Sequence, residues 1–83
     1  MKELLHFSAT WCQPCKAMEP TIAKFISNNV NVNYRKLDAD VNVEMFTEYN
    51  ITGVPAFIAI KDGEVIASHK GVATEEKLQA LFE

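Results

Sequence analysis

Apolar and polar residues alternate along the chain in short runs of two kinds of period. Residues 2–8, KELLHFS, read as a short buried strand. In residues 13–29 the apolar positions Met18, Ile22, Phe25 and Ile26 recur at helical spacing, which predicts one helix with that stripe inward. Pro14 falls in its first turn, where a missing N–H is tolerated. Pro20 falls inside it and predicts a kink. Asn28-Asn29 closes the helix. Residues 31–37 read as a second strand whose Asn31, Asn33 and Arg35 share one exposed side, as at a sheet edge. A polar turn from Asp38 to Asn42 leads into a short helix over 42–49, with Val43 and Phe46 expected inward. Gly53-Val54-Pro55 breaks it. Residues 56–60, AFIAI, form an apolar strand, Asp62-Gly63 is a two-residue hairpin signal, and 64–70, EVIASHK, is the returning strand. Gly71 ends it. Thr74-Glu75-Glu76 starts a final helix with acids at its positive end and Leu78, Leu81 and Phe82 on one face.

The order is therefore β-α-β-α-β-β-α, an α/β arrangement. The helix between the first two strands makes them parallel through a right-handed crossover, and the last two form a hairpin. With 83 residues, the expectation is one domain over 1–83. Its 48% apolar and 23% charged residues are those of a folded globular chain. Eleven acids outnumber eight scattered bases, for a net charge of −3, which argues against a nucleic-acid partner. No apolar run approaches the roughly 20 residues of a membrane span. The opening Met-Lys-Glu-Leu-Leu-His has no signal-peptide pattern, so a cytoplasmic chain is the expectation. In a reducing compartment a purely structural disulfide is not expected.

That matters for residues 9–20, ATWCQPCKAMEP, which contain both cysteines and the single tryptophan. Zinc requires about four ligands. Two cysteines and two histidines without finger-like spacing do not provide that set, so no metal is expected. Redox chemistry fits better. Cys12 falls at a strand–helix junction, where unpaired N–H groups and the helix dipole stabilise a thiolate. Cys15 follows about one turn later, within bridging reach. The outer thiol would form a mixed disulfide and the inner one resolve it, with Pro14 stiffening the ring.

WCQPCK, the later Pro20, GVPAF, KDGEVIASHKG and a short final helix together resemble the thioredoxin family over essentially the whole chain. The resemblance implies a thioredoxin fold reduced to its minimal core, a four-stranded mixed sheet with three helices. It implies a thiol–disulfide oxidoreductase without a bound cofactor. Cys12 matches the nucleophile, Cys15 the resolving thiol, and Trp11 the flanking aromatic. Pro55 matches a proline with a cis bond that faces the disulfide and turns the Val54 backbone toward substrate. Gly71 matches a glycine that lets substrate approach, and Lys36 a lysine behind the site. Gln13 and Pro14 complete the substrate-facing loop. The implied partners are disulfide-containing proteins and a thioredoxin-reductase-like flavoprotein, with a monomeric chain expected. A glutathione-fed, glutaredoxin-like enzyme and a non-catalytic binding module on the same fold are the competing readings.

Three positions depart from the family pattern. Met1 stands at the first core strand, where thioredoxins have an additional strand and helix before it. Gln13 replaces the usual glycine between the cysteines. His6 occupies the place of a buried acid. Imidazole titrates near neutral pH, so His6 is a candidate proton acceptor for Cys15, with a plain core histidine as the alternative.

Overall fold

The computed structural model describes residues 1–83. The alternation of the first strand, β1 (Lys2–Ser8), decides where the rest of the chain sits. Successive strand side chains leave opposite faces. Leu4 therefore joins one apolar cluster, with Met18, Ile22, Phe25, Phe57 and Leu78. Leu5 and Phe7 join a second on the other face, with Leu37, Ile58 and Ile60.

The remaining strands are β2 (Val32–Asp38), β3 (Ala56–Lys61) and β4 (Glu64–Lys70), in the order β2-β1-β3-β4. β1 runs parallel to β2 and antiparallel to β3, and β3 is antiparallel to β4. The mixed sheet and the hairpin are as expected. Asp62 and Gly63 take φ of +52° and +85°, the left-handed pair that a tight two-residue hairpin requires. The expected exposed side also holds: Asn33 and Arg35 of β2, and Asn31 just before it, are exposed.

The helices differ from expectation in number. The predicted single helix over 13–29 is two: α1 (Gln13–Ala17) and α2 (Glu19–Asn28). The break is at Met18, not a kink at Pro20. Pro20 has no N–H to donate to the carbonyl four residues back, and its ring crowds that carbonyl. The Met18 N–H turns instead to the carbonyls of Cys15 and Lys16, and Pro20 becomes part of the first turn of α2. Met18, Ile22 and Phe25 are buried as expected, but Ile26 lies at the rim of the stripe and is exposed.

The next helix, α3 (Val43–Glu48), covers the second cluster. Its inner residues are Met45 and Phe46, continued by Tyr49; Val43 points to solvent, contrary to expectation. Asn42 does not cap this helix with its side chain. Its Oδ1 accepts the Asp38 N–H at 3.0 Å and its own N–H donates to the Asp38 carbonyl at 2.7 Å, so it closes the preceding turn. The last helix, α4 (Glu75–Ala80), is capped by Thr74, whose hydroxyl accepts the Lys77 N–H at 3.1 Å. Leu78 and Leu81 are buried against α2, and Phe82 stacks on Phe25. The sheet thus has α2 and α4 on one face and α3 on the other. The carboxyl ends of β1 and β2 meet the start of α1.

Candidate active site

Past the end of β1, the Ser8 carbonyl accepts the Ala39 N–H at 2.9 Å, which ties the exit of one strand to the exit of its neighbour. The chain then turns, with the Cys12 N–H donating to the Ala9 carbonyl at 3.2 Å. Cys12 is the N-cap of α1, and its Sγ accepts the Cys15 N–H at 3.2 Å. A donor aimed at sulfur favours the thiolate once the bond is reduced. The two cysteines form a disulfide, their Cα atoms 5.3 Å apart. Both are largely covered, with Ala39 and Val54 packed against them.

Beside this pair stands a platform from distant parts of the chain. The Val54–Pro55 bond is cis. The Pro55 carbonyl accepts the Gly71 N–H at 2.8 Å, and Gly71 has φ of +94°. A cleft of about 210 Å³ runs along Gly53, Val54, Pro55, Lys70 and Gly71. A second, of about 320 Å³, lies between Trp11, Ala39, Phe46, Ile51 and Val54. Trp11 is 65% exposed and forms its outer wall. Val54 packs against the cysteine pair and lines both clefts, so it links the Trp11 wall and the Pro55–Gly71 platform to Cys12. Gln13 and Pro14 are exposed at the start of α1 and line neither cleft.

A third cavity, of about 310 Å³, opens on the Cys15 side. Its walls include Ser8, Lys16, Glu19, Lys36 and Asp38. Lys36 is on the wall of this cavity, with its Nζ 3.6 Å from the Glu19 carboxylate. Both side chains are more than half exposed, so the pair adds little to stability.

His6 is not on this cavity. It is fully buried; its Nδ1 lies 2.8 Å from the Tyr34 hydroxyl and its ring stacks on Phe57 with centroids 4.7 Å apart. Its Nε2 is buried without a partner. Burial, helped by the positive charge of Lys36, lowers the His6 pKa to about 4. Burial and the negative charge of Glu19 push Tyr34 up to about 12. Both groups are neutral at physiological pH.

Glu19, Tyr34 and Ser8 were not singled out from the sequence, and Asp38 was read there only as a turn residue. Two signals pointed to Glu19 and Tyr34. Glu19 follows Cys15 by four residues, the spacing that brings helical side chains to one side. Tyr34 precedes Lys36 by two, so the pair shares a strand face.

The model of the family described as thioredoxin matches residues 1–83. The chain belongs to the thioredoxin family. It is 42% identical over 79 residues to Thioredoxin-2 of Pyricularia oryzae, covering 95% of this chain and 46% of that protein. Thioredoxin C-2 of Corynebacterium nephridii is 38% identical over 82 residues, covering 96% of this chain and 75% of the relative. The solved structure of oxidized mitochondrial thioredoxin 3 from Saccharomyces cerevisiae superposes with a TM-score of 0.88 at 35% identity, over 95% of this chain and 74% of that one. The chain spans about half the length of the first of these relatives. Within the thioredoxin fold, the Cys12–Cys15 pair at the start of α1 and the cis-proline platform next to it are both present.

Proposed function

We propose that this thioredoxin-family chain is a dithiol–disulfide oxidoreductase acting on protein disulfides. The observation that carries the reading is the Cys12–Cys15 disulfide set at the cap of α1 beside the Pro55–Gly71 platform. In the reduced protein, Cys12 attacks a substrate disulfide as thiolate, releasing one substrate thiol and leaving the other sulfur bonded to Cys12. Cys15 then attacks Cys12, the second substrate thiol leaves, and the Cys12–Cys15 disulfide remains. Two electrons pass from protein to substrate.

The substrate runs extended over Val54 and Pro55, adding a short strand-like segment, and Gly71 leaves room for its backbone. Trp11 provides an apolar contact next to the reacting sulfur, and Gln13 and Pro14 border it on the α1 side. Lys36 contributes positive charge behind Cys15. The cycle closes when a flavoprotein of the thioredoxin-reductase type returns two electrons from a nicotinamide cofactor; the chain carries no bound cofactor and works as a monomer. A reducing compartment suits this direction of flow. The mitochondrial name of the solved yeast relative makes the mitochondrion as fitting a place as the cytoplasm.

The test supplies the oxidised protein either with a thioredoxin reductase and its nicotinamide or with reduced glutathione and its reductase, while insulin reduction is followed. Turnover is expected with the reductase. Activity only with glutathione would move the chain to the glutaredoxin-like reading. Failure of both, with partner binding intact in Cys12→Ser, would make it a binding module.

A further inference from the structure

We infer that Glu19 takes the proton from Cys15 when a mixed disulfide on Cys12 is resolved, through solvent in the cavity that both side chains line. The inference rests on the oxidoreductase reading and names a residue within it.

The need comes from burial. Cys15 is 2% exposed, and its thiol must lose a proton before it can attack Cys12. The cavity of about 310 Å³ on its sheet side is the path by which that proton reaches solvent. Two carboxylates face this cavity, Glu19 and Asp38. Asp38 is occupied in the turn after β2, where its Oδ1 accepts the Asp40 N–H at 2.7 Å. The Glu19 carboxylate has Lys36 as its partner at 3.6 Å, a contact of charge that leaves oxygen lone pairs for water. His6 is held elsewhere, by the Tyr34 hydroxyl and the face of Phe57.

The charged and titratable groups around Glu19 come from every neighbouring element. Lys16 comes from α1, Lys36, Asp38 and Tyr34 from β2, and His6 from β1 behind Tyr34. Glu19 lies close enough to Tyr34 on β2 to act on it through its charge, while its own side chain stays more than half exposed. Lys36 offsets that charge at the cavity wall.

The step balances. The Cys15 thiol gives its proton to Glu19, and the resulting thiolate attacks Cys12 Sγ. The bond from Cys12 to the substrate sulfur breaks. The substrate leaves as a thiolate that takes a proton from solvent, and Glu19 returns its proton to bulk water. The substrate sulfur is reduced as Cys12 and Cys15 become the disulfide.

The sign of the Glu19→Gln effect separates a base from a bystander. A carboxylate that is merely near Cys15 opposes its ionisation, so removing it would speed resolution. A proton acceptor does the reverse, with general-base effects commonly of 10²-fold or more and less for a group acting through water. Reduced protein is mixed rapidly with insulin, quenched in acid, and the Cys12-linked mixed disulfide is followed by mass between about pH 6 and 9, a range that spans the ordinary thiol pKa. In Glu19→Gln the mixed disulfide should accumulate near neutral pH, its resolution slowed about tenfold, with the difference from wild type vanishing as Cys15 ionises unaided. Glu19 is a surface side chain, so this variant folds. Resolution unchanged or faster in Glu19→Gln near neutral pH overturns the inference. So does the same pH-selective slowing in Asp38→Asn or His6→Gln in its place. A wild-type protein that forms no mixed disulfide at any pH overturns the oxidoreductase reading itself, an outcome distinct from either.

Discussion

His6 Nδ1 and the Tyr34 hydroxyl stand 2.8 Å apart, and this contact joins β1 to β2 on the sheet face that α2 covers. Tyr34 pairs with Leu4 in the register and so reaches His6 diagonally across the two strands. The ring of Phe57 covers His6 from β3. A position that the thioredoxin pattern fills with an acid is here a neutral aromatic pair.

The first prediction concerns pH. The folded state holds His6 at about 4, below its ordinary 6.5, so between these values the unfolded chain binds more protons. The contribution of neutral His6 is complete above about pH 6.5 and is lost as the pH falls toward 4. The gap corresponds to about 3 kcal/mol. Urea denaturation of wild type and His6→Phe over this range should show the slope in wild type alone. An equal slope in both proteins would assign it to the carboxylates instead.

Tyr34→Phe should cost about 1–2 kcal/mol at neutral pH, because it leaves buried His6 Nδ1 without a partner. Chemical denaturation measures this directly. No loss of stability would mean that the hydroxyl contributes nothing net.

Gly71 and Gly53 should respond differently to alanine. A Cβ at either position meets nothing within 4 Å. Only Gly71 has a left-handed backbone, with φ of +94°. Gly71→Ala should lower stability by about 1–2 kcal/mol through backbone strain alone. Gly53→Ala should fall within about 0.5 kcal/mol of wild type. Equal effects at the two sites would refute the conformational explanation.

Trp11→Ala should leave stability within about 0.5 kcal/mol, since the side chain is 65% exposed. Insulin reduction should slow about tenfold, mainly through KM, if Trp11 contacts substrate. Thermal melts and steady-state kinetics on one preparation separate the two quantities. A large drop in Tm with unchanged kinetics would make Trp11 a packing residue.

Much of the fold was legible because its signals are local. Asp62-Gly63 takes the two positive φ values of a hairpin whatever surrounds it. Met18, Ile22 and Phe25 mark an inner stripe by spacing alone. The break at Met18 was harder to read. Pro20 identified a disturbed helix, but whether the chain bends through a proline or restarts ahead of it depends on where the carbonyls of Cys15 and Lys16 find donors. Val43 was misplaced for a similar reason: in a six-residue helix, the inward face is chosen by packing on Phe7 and its neighbours, and Met45, Phe46 and Tyr49 take it.

The sequence by itself determined the thiol pair, its position at a strand–helix junction, and the order of strands and helices around it save the break at Met18, because these rest on neighbours within a turn or two of helix. It also marked Pro55, Gly71, Lys36 and His6, by motif. Only the tertiary structure decided what these groups face. Cys15, Glu19 and Lys36 share one cavity, while His6, two residues from Ser8 on the same strand, is turned to Tyr34 and Phe57. A side chain's chemistry is set by the groups within a few ångströms of it and by its distance from water, and both come from strands and helices that the chain brings together from far apart.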